Sequence, residues 1–69
     1  MTTAAAIAKI RNDYGASQIA WSGRTGYSST QIVRWETGRI SPRLFQLRDL
    51  CDAGGVSLVT FAGWVEAKP

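Results

Sequence analysis

From Gln18 to Gly38, small, glycine and apolar residues recur at offsets that let two short helices cross at a tight angle, and this spacing constrains the chain more than any other feature. Ser17 can accept from the orphan amides of a helix starting at Gln18, so that helix is expected to run to about Thr25. Gly26 follows as the turn, where a left-handed backbone is needed at little steric cost. Ser28 and Gln31 fit the S-x-x-Q capping box, and Tyr27 and Ile32 can form the hydrophobic staple of a second helix beginning at Ser29. Within it Ile32 and Trp35 share a face, while Ser29, Thr30, Val33 and Arg34 lie on others. One face packs and another is free to read something. Ser22, small and midway along the first of the pair, permits close approach, and Gly38 ends the second helix.

The flanking segments also read as helices. Ile7, Ile10 and Tyr14 predict a helix over Thr3 to Tyr14, stopped by Gly15. Ser41 as N-cap with Pro42 at the first helical position starts another, striped by Leu44, Leu47, Leu50 and Cys51 and stopped by Gly54-Gly55. Ser57 can cap a last helix in which Leu58, Phe61, Trp64 and Val65 exceed what covering a small core requires, a surplus that points to a partner. The stretch from Val56 to Phe61 has β-like composition but is too isolated to make a sheet. The expected class is all-α, a compact five-helix single domain over 1–69 with its motif at about 18–37.

Composition excludes several functions. The chain has no histidine, one cysteine and few acids, and its motif lacks a phosphate-cradling glycine loop, so no catalytic residues, metal site or cofactor are expected. A lone Cys51 allows no intrachain disulfide, reads as a small buried hydrophobe, and fits a reduced cytoplasmic setting. No apolar run approaches the roughly 18 residues needed to span a bilayer. Net charge is only +3, yet between Tyr14 and Arg48 the charged residues are Arg24, Arg34, Glu36, Arg39, Arg43 and Arg48, a strongly positive run. The acids Asp49, Asp52 and Glu66 come later and can sit on the far side.

The run Ser17, Gln18, Gly26, Ser28, Ile32, Trp35, Glu36, Gly38 and Pro42 resembles the core signature of the Cro and phage-repressor family of helix-turn-helix domains, a lambda-repressor-like fold. Ser41-Pro42, Leu44, Leu47, Leu50, Ala53, Gly55-Val56-Ser57-Leu58 and Phe61 extend the likeness over nearly the whole chain. The resemblance implies that Arg11 pairs with Glu36. It also implies a transcriptional regulator in a bacterial cell or phage-infected host, acting on double-stranded DNA by occupancy, with no small-molecule ligand. Three residues depart from the pattern: Ser22 replaces the usual alanine, Gly23 costs about 1 kcal/mol of helix stability relative to alanine, and Ile19 stands where the family is normally exposed.

On this reading the recognition helix, about 29–36, enters the major groove. Ser29, Thr30 and Arg34 are the expected base readers, with Arg34 suited to guanine O6 and N7 and the Thr30 methyl to a thymine methyl. Gln18, Ser28, Arg39 and Arg43 are expected on the phosphate backbone, with Arg24 a weaker member of that set. Phe61, Trp64 and Val65, within a surface at 58–66, are the expected homodimer contact on a near-palindromic operator. The rival class is a protein-interaction module, such as the antitoxin of a toxin–antitoxin pair; the arginines around the recognition helix argue against it.

Overall fold

A computed structural model describes residues 1–66, and the expected single domain over 1–69 thus has its last three residues outside the described residues. Five helices follow one another: α1 (Thr3–Tyr14), α2 (Gln18–Thr25), α3 (Ser29–Glu36), α4 (Leu44–Gly54) and α5 (Leu58–Glu66). The described residues form no strand. The local chemistry sets most boundaries. Thr2, Ser17, Ser28 and Ser57 hydroxyls accept from the amides of Ala5, Ala20, Gln31 and Thr60, capping α1, α2, α3 and α5. Gly15 and Gly26 close α1 and α2 in the left-handed region. Glu36 is the last residue of α3, with Thr37 as cap and Gly38 turning the chain at φ 76°.

Every helix contributes to one core: Ala6, Ile7 and Ile10, Trp21, Ile32 and Trp35, Leu50 and Cys51, and Phe61. α1 packs on α3, α4 and α5, while α2 packs on α3 and α4. Burial holds the Cys51 thiol above its usual pKa. Tyr27 lays its ring edge-on to Trp35, centroids 5.0 Å apart, and donates its hydroxyl to Asp49 at 2.6 Å. Asp49 is therefore a structural acceptor that ties the α2–α3 turn to α4, and its bond raises the pKa of Tyr27.

Several expectations are corrected. Ser41 and Pro42 stay in the loop, and α4 begins at Leu44 because the Gln46 side chain accepts from the Arg43 amide at 2.8 Å and sets the cap at extended Arg43. Leu44 then projects past the core and is 72 % exposed, so the buried stripe of α4 is Leu50 and Cys51, with Leu47 half-buried. Only the serine half of the Ser28/Gln31 box forms among the described residues.

Phe61 is buried, because α5 turns that side chain into the core, although one edge of it lines the groove shared with Leu58 and Val65. Trp64 is half-buried: Lys9 Nζ stands 5.0 Å over its ring, and the Met1 amine donates to its carbonyl at 2.9 Å. Val65 is also half-buried against the core.

Gly54 departs from its expected role. Gly55, at φ 70°, is the left-handed cap, whereas Gly54 is the last helical residue, and a Cβ there would collide with Ile10 Cγ2. At Gly54 α4 lies close against Ile10 of α1, so Gly54→Ala should lose about 1–3 kcal/mol of stability through overpacking. Urea unfolding checks this, and an unchanged midpoint would disprove the close approach.

Candidate nucleic-acid interface

α3 buries Ile32 and Trp35 and turns its other side outward, because residues three and four apart share a helix face. Ser29, Thr30, Val33, Arg34 and Thr37 from that side line one open groove. The start of α2 contributes Gln18 and Ile19 as the other wall, and Arg39, beyond α3, also lines it. The groove thus unites five of the eight expected DNA-contact residues: Ser29, Thr30, Arg34, Gln18 and Arg39. Ser28 caps α3, and Arg43 is exposed at the start of α4; neither lines the groove.

Arg24 is placed elsewhere. Its Nε donates to the Ala53 carbonyl at 2.7 Å, and its guanidinium lies 4.4 Å from the centroid of the Tyr14 ring. A planar cation between an aromatic face and a carbonyl ties α2 to α1 and α4, which removes Arg24 from the groove's positive rim.

Behind the groove stands a part-buried ion pair. Arg11 Nε donates to Glu36 Oε2 at 2.7 Å and its Nη2 to Oε1 at 2.8 Å, a fork-on-fork geometry. The side chains are only 14 % and 5 % exposed. Arg11 Nη1 also donates to the Ala16 carbonyl at 2.9 Å, and Gln18 Nε2 to Glu36 Oε1 at 3.2 Å. The bond to Glu36 raises the Arg11 pKa against the opposing effect of burial. One carboxylate at the end of α3 therefore fixes α1 and the first residue of α2, and with them both walls of the groove. Glu36 is neutralised internally, so Arg34 and Arg39 set the sign of the groove surface.

From the sequence, Ile19 is expected only as a contact to a protein partner, and neither Val33 nor Thr37 is expected in the site. The last two were legible: positions 29, 30, 33, 34 and 37 fall along one stripe at helical spacing. Ile19 enters only because α2 and α3 cross there.

Among the described residues no cluster of His, Cys, Asp or Glu could hold a metal, and no helix is long and apolar enough to cross a membrane. No curated protein and no solved structure matches the chain. A family model described as a helix-turn-helix domain matches residues 4–64, from the start of α1 into α5, and by that match the chain belongs to the helix-turn-helix domain family.

Proposed function

We propose that this protein is a sequence-specific regulator of transcription that binds double-stranded DNA, of the Cro-like or small phage and prophage repressor kind. The observation that carries the reading is the outward side of α3, where Ser29, Thr30 and Arg34 share a groove with the N-terminus of α2 and Arg39. An exposed helix of that width fits the major groove of B-form DNA, and the first-turn amides of α2 and α3 offer donors and positive dipole ends to phosphates. Ser29, Thr30 and Arg34 read bases; Gln18, Ser28, Arg39 and Arg43 grip the backbone. Gln18 does so with its orientation fixed by Glu36.

Selection of bound sequences from random duplex DNA, with wild type and Arg34→Ala in parallel, tests the proposal. A two-fold symmetric, guanine-containing site that the variant loses or relaxes is the expected outcome; no enrichment by wild type would favour a protein-interaction or antitoxin role.

Backbone contacts have their own signature. Each phosphate neutralised contributes about −0.9 to the slope of log affinity against log salt. Arg39→Ala should flatten that slope by roughly 2 for a dimer, one contact per half-site, and weaken all sequences alike. An unaltered slope would remove Arg39 from the backbone set.

Two-fold binding needs a contact between copies. With Phe61 in the core, the surface we assign to it is the groove between the starts of α4 and α5, formed by Leu44, Phe45 and Leu58 with Arg48 at its edge. Val59, 82 % exposed, adds to the apolar surface of α5, and Val65 lines the adjoining groove. The contiguous apolar area supports this placement. Phe45→Asp should leave folding intact, since Phe45 is 52 % exposed, and abolish the dimer in sedimentation of the protein on its operator. A dimer that survives the change would move the contact elsewhere.

A further inference from the structure

We infer that Ile19 and Val33 form an apolar reader for the 5-methyl group of a pyrimidine base, set beside Arg34 in the same groove. The inference rests on the DNA-binding reading above and extends it to two residues outside the assigned reader set.

Ile19 is 79 % exposed on the first turn of α2, and Val33 is 37 % exposed on α3. They belong to different helices yet line one groove with Ser29, Thr30, Thr37 and the donors of Gln18, Arg34 and Arg39. Neither is among the buried residues of the core, and both leave apolar surface open to the groove. The groove residues consist of hydroxyl groups, an amide, two guanidinium groups and these two aliphatic side chains, with no carboxylate among them.

The edge of a base pair in the major groove offers hydrogen-bond donors, acceptors and a single kind of apolar group, the methyl on pyrimidine C5. Donors such as Arg34 meet acceptors; the aliphatic pair has only the methyl to meet. Burying one methyl between Ile19 and Val33 should strengthen binding about four-fold, the value of one methylene-sized apolar contact. Thymine carries this group in ordinary DNA, and 5-methylcytosine carries the same group on a G·C pair.

The test uses the full chain and the site selected from random duplex DNA. Each thymine is replaced singly by deoxyuridine, which lacks only the 5-methyl, and in a second series each cytosine is replaced by 5-methylcytosine. Wild type is expected to lose about four-fold at one thymine per half-site, and Ile19→Ala is expected to be indifferent to the same replacement. Val33→Ala, a second variant on the opposite wall, should show the same indifference. A gain with 5-methylcytosine that Ile19→Ala abolishes would assign the pocket to the methylated cytosine instead. Equal wild-type affinity for every modified site, or an undiminished deoxyuridine penalty in both variants, overturns the methyl reading while leaving the DNA-binding reading intact. Failure of wild type to select any sequence overturns both.

Discussion

Arg11→Ala is expected to destabilise the domain by about 3–5 kcal/mol, because it strands the Glu36 carboxylate in a site where that side chain is only 5 % exposed. Domains of this size hold about 3–10 kcal/mol of net stability, so the variant should be close to unfolding at room temperature. Most of the loss is desolvation: Glu36 keeps one long bond from Gln18 after losing two short ones from Arg11. Arg11→Lys should recover only part of the loss, since an ammonium cannot present the guanidinium fork to Glu36 and a further donor to the Ala16 carbonyl at once. Replacing both partners together, as Arg11→Met with Glu36→Leu, should cost less than Arg11→Ala alone, because no buried charge remains. Urea unfolding of the four proteins without DNA measures the series. A wild-type midpoint in Arg11→Ala would show that the pair does not support the fold.

Arg34→Ala should have the opposite profile, with unchanged stability and lost discrimination. Arg34 is exposed, and its side chain makes no hydrogen bond or ion pair among the described residues. A bidentate contact to guanine is worth about 1–3 kcal/mol, so two half-sites together should lose about 2–6 kcal/mol of preference for the selected site over its guanine-to-adenine variants. Fluorescence anisotropy at fixed salt, with matched and substituted duplexes, reads this directly. Weakening by one common factor on all duplexes would place Arg34 on the phosphates rather than on a base. The two variants thus separate the residues that build the groove from those that use it.

Much of this architecture was legible in the chain because helix limits are local events. Caps such as Ser17 and Ser28, and glycines such as Gly15 and Gly26, act within a few residues of the groups they satisfy, so the bounds of α1, α2 and α3 follow from short-range chemistry. The same reasoning misplaced the start of α4. There two local signals compete, Ser41-Pro42 and the Gln46 side chain, and the second prevails. Phe61 and Trp64 were harder still. Both belong to an apolar stripe, and periodicity cannot say which member enters the core; packing of α5 against α1 and α4 buries Phe61 and leaves Trp64 half-buried. The placing of Arg24 was not legible for a related reason, since a basic residue in a positive run carries no mark of the carbonyl and ring that hold it.

The sequence alone determined the five helices, the tight crossing of α2 and α3, the apolar side of α3 and the polar side opposite. Each depends on backbone conformation and side-chain periodicity, which act over one or two turns. Only the tertiary structure decided that Glu36 holds Arg11 and Gln18 together, that Gly54 admits Ile10, and that Ile19 and Val33 line one groove. These depend on distances between groups up to 44 positions apart, set by the simultaneous close packing of the nine-residue core, and no local rule encodes them.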